Sequence, residues 1–133
     1  MKPNILYRIV LLFILFGFYG IHISFGQDNK VYTKPDKMPL YSGGNVALTK
    51  FIKNNIKYPE EAKAANTKGK VVVSFIVEKN GALSNFEVIN GIGKGCDEEA
   101  LRVARKMSKW YPGTVGGKPV RVINKISIEF PPV

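Results

Sequence analysis

The pattern of apolar and polar positions changes character at Asp28. Before it, an apolar run from Ile9 to Phe16 thins out towards Phe25, and no charged side chain stands between Arg8 and Asp28. Residues 27–44 are polar and broken by Pro35, Pro39, Gly43 and Gly44, which predicts a short extended lead-in. From Asn45 onward Leu48, Phe51, Ile52 and Ile56 recur on one helical face. Pro59 ends that helix, because the residue before a proline is pushed out of the helical region. Residues 59–65 predict a second short helix, with Pro59 at its first position and Glu60 and Glu61 at its positive end.

The period then shortens. Residues 71–77 are almost all β-branched or aromatic and residues 83–89 form a second strand-like run. Asn80-Gly81 between them predicts a hairpin closed by a two-residue turn. A helix follows, with Asp97 as its cap, Glu98 and Glu99 in its first turn and Arg102, Arg105, Lys106 and Lys109 towards its end, an order that suits the helix dipole. Ala100, Val103, Ala104, Met107 and Trp110 repeat at helical spacing and predict its buried stripe, with Trp110 as a core anchor. Pro112, Gly113, Gly116, Gly117 and Pro119 make a long turn. In the last strand Val120, Val122, Ile126, Ile128 and Phe130 point one way with Asn124, and Arg121, Lys125, Ser127 and Glu129 the other with Ile123.

The order helix, strand, strand, helix, strand predicts an α+β layer, a three-stranded antiparallel sheet with helices packed on one face. The connecting helix makes the second and third strands parallel, so the first lies between them and the order is 2-1-3. Its apolarity on both faces agrees with a central place. The third strand is then an edge, which offers unpaired N–H and C=O groups to another extended chain.

Composition narrows the chemistry. The 133 residues allow one ordinary domain, and 45% hydrophobic with 23% charged marks a foldable chain. One cysteine, Cys96, rules out an internal disulfide framework or a multi-cysteine metal site, and one histidine, His22, leaves no base for a Ser-His or Cys-His pair in the folded part. No cofactor or metal is expected, and the chain reads as non-enzymatic. A small hydrolase lacks its base–nucleophile pair. Cys96, at a helix start, is expected to have a lowered pKa. The Asp97-Glu98-Glu99 cluster is explained by helix-dipole service.

Lys2 and Arg8 ahead of the apolar run, with small residues at Ser24 and Gly26, form a secretory pattern cut after Gly26. The competing reading is an uncleaved inner-membrane anchor, since 9–27 approaches the roughly 20 residues that cross a bilayer. Residues 1–26 are thus a signal peptide or anchor, 27–44 the lead-in and 45–133 the domain, exported either to the periplasm or facing it. Beyond residue 26 the chain carries 18 basic and 10 acidic residues, net +8. An exported protein rarely meets nucleic acid, so no nucleic-acid partner is expected. The basic residues are spread along the chain, which suits a well-solvated surface or attraction to an anionic envelope component.

The ordered set Tyr58-Pro59-Glu60-Glu61-Ala62, Gly69-Lys70-Val71-Val72-Val73, Asn80-Gly81, Glu99-Ala100, Trp110-Tyr111-Pro112-Gly113 and Gly117-Lys118-Pro119-Val120 resembles the C-terminal domain of TonB proteins. Met38-Pro39 with Gly43-Gly44 looks like a lead-in of one branch of that family, and the likeness covers about residues 38–130. The resemblance implies a periplasmic interaction module that binds the TonB box, an extended N-terminal segment of an outer-membrane transporter, by strand addition in energy-coupled transport. It implies a partner-binding edge of Arg121, Val122, Ile123, Asn124, Lys125, Ile126 and Ser127, with Lys57, Tyr58 and Pro59 as the neighbouring contact. Tyr58 serves equally well in packing, and charges at Arg121 and Lys125 equally well discourage aggregation. If the leader stays, inner-membrane ExbB/ExbD-type proteins are further partners. Residues 27–44 span at most about 60 Å extended, so an anchored form would reach only partners near the membrane. His22 has Phe18 four residues before it, where the family pairs a functional histidine with a serine. The alternative function is an exported basic adaptor or structural protein of the envelope with no role in energy transduction.

Overall fold

The central strand is the most hydrophobic segment of the fold, and the rest is arranged around it. In the computed structural model, residues 29–108 and 110–132 are described; the leader, with His22, and Lys109 lie outside them. The elements are β1 (Val31–Tyr32), β2 (Leu40–Tyr41), α1 (Gly44–Asn55), α2 (Glu60–Ala64), β3 (Gly69–Val77), β4 (Leu83–Asn90), α3 (Cys96–Lys106), β5 (Trp110–Tyr111), β6 (Gly113–Val115) and β7 (Lys118–Phe130).

The three long strands lie in the order β7-β3-β4, with both neighbours antiparallel to β3. That is the expected 2-1-3 order in an α+β fold. The sheet is larger than expected: β1 adds parallel to β7, and β6 forms a hairpin with the start of β7. A separate two-stranded ribbon joins β2 to β5. The lead-in, expected only to be extended, is therefore stitched into the domain. Lys37 exchanges both backbone hydrogen bonds with Thr114, at 3.1 and 3.0 Å, and the Gly116 N–H donates to Asp36 at 2.7 Å.

Strand alternation decides which face is buried. Val71, Val73, Phe75 and Val77 of β3 and Ile126, Ile128 and Phe130 of β7 enter one cluster with Ala62, Ala100, Val103, Ala104 and Met107. Helix α1 packs more loosely; Leu48, Phe51, Ile52 and Ile56 touch the cluster, yet none of its residues is fully buried.

Four local expectations are corrected. The β3–β4 turn is longer than two residues: Gly81 N–H donates to the Glu78 carbonyl and Glu78 N–H to the Ala82 carbonyl. Only Gly81 takes a positive φ, 82°, while the Asn80 side chain accepts from Ala82 N–H, so a type I turn followed by a left-handed glycine replaces the doubly left-handed turn. Asp97 is not the cap of α3. Gly95 opens that helix at φ 80°, and Asp97 Oδ1 accepts from the backbone N–H groups of Ile92 and Gly93 in the preceding loop. Trp110 is not on the helix, which ends at Lys106 when Met107 turns extended. It sits in β5 and remains a core anchor, edge-on to Phe75 at 5.4 Å and Tyr41 at 5.5 Å. Cys96 is fully buried, and desolvation followed by the charges of Asp97 and Glu98 pushes its pKa up rather than down.

Candidate functional site

The outer two of the three long strands, β4 and β7, differ as surfaces for another chain. β4 is irregular: its register against β3 shifts twice, and Asn85 takes a left-handed φ of 53°. Bulges of this kind twist an edge away from further pairing. β7 keeps one unbroken register against β3 from Val122 to Phe130. On its other side β1 lies against it, Val31 opposite Arg121 and Tyr32 opposite Val122. From residue 123 to 130, β3 is its only strand partner among the described residues.

One hydrogen bond shows which backbone groups face outward. The N–H of Lys125 donates to its neighbour's Asn124 Oδ1 at 2.9 Å. In an antiparallel pair alternate residues turn both their groups to the partner strand. Ile123, Lys125, Ser127 and Glu129 thus turn theirs to the open side, and Asn124, Ile126, Ile128 and Phe130 turn theirs to β3. The Asn124 side chain blunts the middle of the edge by satisfying an outward donor locally.

The open stretch is not flat. Thr49, Ile52 and Lys53 on α1, and Ile56 just past its end, face Ser127, Ile128 and Glu129 across a groove of about 220 Å³. These four residues were not among the residues expected at the site. Their signal was present in the 3.6-residue repeat, but Ile52 and Ile56 read as core, and only the loose seating of α1 leaves them at a groove.

Tyr58 lies near the other end of β7 from Arg121. Its ring packs 6.3 Å from that of Phe130, and its hydroxyl donates to the carbonyl oxygens of Thr67 and Ala62. Nine residue steps along the strand separate Arg121 from Phe130, roughly 30 Å at 3.3–3.4 Å each. The structure therefore brings Tyr58 to the Phe130 end, not to the whole edge. The backbone there is clamped: Lys57 N–H donates to Glu99 Oε1 at 2.8 Å, and Arg102 donates to the Asn55 carbonyl at 2.7 Å as well as to Glu99. Arg102 and the Lys57 N–H hold the Glu99 carboxyl below the usual carboxylate range. Lys57 itself has an exposed side chain, and Pro59 packs near Gly95.

At its opposite end the edge is occupied. Arg121 and Val122, expected as open partner-binding positions, already pair with β1, and the Arg121 guanidinium also holds Glu78 and the Asn29 carbonyl. Ile123 and Asn124 are half-buried, Lys125 and Ser127 exposed, and Ile126 buried in the core face. No group of three or more His, Cys, Asp or Glu side chains poised for a metal occurs among the described residues. No helix among them is long and apolar enough to cross a membrane.

Comparison with known proteins places this arrangement. None of the curated proteins matches the chain. Among solved structures, the solution structure of the TonB C-terminal domain of Helicobacter pylori is similar at 19% identity, covering 62% of this chain and 89% of that one with a TM-score of 0.46. Residues 54–132, from the end of α1 past the end of β7, match the profile of the family described as the Gram-negative bacterial TonB protein C-terminal. The chain belongs to the TonB C-terminal domain family.

Proposed function

We propose that this domain is a non-enzymatic capture module that binds the TonB box, an extended N-terminal segment of an outer-membrane transporter, by adding it as a strand to β7, in energy-coupled transport across the outer membrane. The observation that carries the reading is the contrast between edges: β4 is broken by bulges, while β7 runs unbroken beside an α1-walled groove. Backbone hydrogen bonds along 123–127 supply affinity, and alternate guest side chains reach either the groove or solvent. Arg121 and Val122 extend the site when their present partner leaves. Lys57, Tyr58 and Pro59 frame its far end, Tyr58 through its packing and Lys57 through its exposed ammonium.

Residues 1–26 carry the chain out of the cytoplasm, either as a cleaved signal that leaves the domain in the periplasm or as an inner-membrane anchor. Retention would add ExbB/ExbD-type proteins as partners. N-terminal sequencing of protein recovered from the native envelope decides between the two forms.

Isotope-shift mapping with transporter N-terminal peptides tests the capture role. Shifts are expected along 123–129 and in the Ile52–Ile56 face, and they should persist at moderate salt. Shifts confined to another surface, or binding that vanishes as charges are screened, would favour a basic envelope adaptor instead.

A further inference from the structure

Part of the lane proposed for the partner is filled by the chain's own lead-in. β1 lies on the side of β7 away from β3, and the open edge continues the same lane beyond Tyr32, where the chain bends away at Thr33 and Lys34. We infer that β1 is a resident strand which a partner's extended segment displaces as it fills the edge, so that residues 29–32 compete with the partner for Arg121 and Val122. The inference rests on the strand-addition reading above and adds regulation to that site.

Several features make β1 a displaceable strand. Its ladder is two residues long and parallel, the less stable pairing per residue. Val31 and Tyr32 are only half-buried and neither joins the core cluster. The rest of the lead-in is fastened independently by Lys37 on Thr114, Asp36 on Gly116 and β2 on β5. β1 can therefore lift away from about Thr33 while those links stay closed.

The charge arrangement also permits departure. Arg121 donates from Nη1 to the Asn29 carbonyl at 2.8 Å, and from Nε and Nη2 to Glu78 at 2.7 and 3.1 Å. When β1 leaves, Arg121 loses one carbonyl partner and keeps its carboxylate, so no charge is stranded. The Asn29 carbonyl is at an exposed position, where water replaces the guanidinium.

The order of events follows from the same geometry. The partner's first contacts fall at the groove around Ser127, where the lane is empty. Its further progress towards Arg121 meets first the Asn124 side chain on the Lys125 N–H and then β1.

The test uses the full chain and a double variant, Val31→Pro with Tyr32→Pro, whose prolines have no N–H to give to β7. The probe is the labelled transporter N-terminal peptide series used for the mapping. The variant is expected to bind about three- to tenfold more tightly, because the fraction of molecules with a vacant lane rises. Tyr32→Gly alone should fall between the two. In the unaltered chain, saturating peptide should speed solvent exchange of the Tyr32 amide, whose N–H faces β7. Equal affinities, or a Tyr32 amide that stays protected in the peptide complex, overturn the resident-strand inference while leaving strand addition standing. A peptide series that binds neither chain overturns both.

Discussion

Arg121 grips the carboxylate of Glu78 with two guanidinium nitrogens, tying β7, just past its hairpin with β6, to the loop that follows β3. That contact, with a lesser contribution from the Ser84 hydroxyl, holds the Glu78 carboxyl below its ordinary range. Glu99 is held down in the same way by Arg102 and by the Lys57 N–H. A carboxyl whose folded pKa is depressed adds stability above its unfolded value, about 4.3 for glutamate, and loses it as pH falls through the folded value. The urea midpoint is expected to be flat near neutrality and to fall below about pH 4. Glu78→Gln and Glu99→Gln should each lower the neutral midpoint and flatten the acid slope. An unchanged slope in both variants would remove these pairs as its cause.

Gly81 lies under the carbonyl oxygen of Trp110, and a Cβ there would collide with it. Its φ of 82° is also one that side chains with a Cβ resist. Gly81→Ala is expected to cost about 2 kcal/mol or more in denaturant unfolding, through strain and collision together. A cost within about 0.5 kcal/mol, the range of neutral surface changes, would show that β5 moves freely over the turn.

Trp110 buries its ring against Phe75 and Tyr41, and its Nε1 has no hydrogen-bond partner among the described residues. Trp110→Ala should cost about 3–5 kcal/mol. Trp110→Phe should cost distinctly less, about 1–2 kcal/mol, because it removes an unsatisfied buried donor along with the lost packing. Equal costs for the two would mean that the Nε1 group is satisfied in solution.

Ser127 and Ile126 are neighbours whose backbone groups face opposite ways. Proline is tolerated where an N–H faces the open side and disrupts a ladder where it faces a partner strand. Ser127→Pro is expected to keep the fold and abolish peptide capture, whereas Ile126→Pro should unfold the sheet. Thermal melts and peptide titrations check both. Full capture by a folded Ser127→Pro protein would rule out pairing at that position.

Buried Cys96, with its pKa raised, should be inert to thiol reagents in the native state and react as fast as a model thiol once urea unfolds the chain. Rapid labelling of the native protein would mean that the start of α3 opens readily.

The legible parts of the fold were those whose own residues set a period. β3 shows its central place through apolar side chains on both faces, and β7 through an alternation from Val120 to Phe130 interrupted at Ile123 and Asn124. The pieces that escaped are short and depend on distant partners. Val31–Tyr32 and Leu40–Tyr41 are too brief for any period, and they are strands only because Arg121 and Trp110 wait beside them. Trp110 fell at the next helical position after Met107, and no glycine or proline marks the point where α3 stops. At the proposed site the edge strand itself was legible from topology. The α1 wall was not, because a repeat at 3.6 residues cannot distinguish a side chain sunk in the core from one left beside a groove.

The family match opens at residue 54, yet the stitching of the fold begins some 25 residues earlier, where Asn29 meets Arg121. A fragment trimmed to the matched segment would lose the strand opposite Trp110 and the brace behind Gly116. It would also bare Arg121 and Val122 at the start of the docking rim. Such a fragment would be less stable and would lack the α1 wall of the groove, so its binding strength would misstate that of the intact molecule.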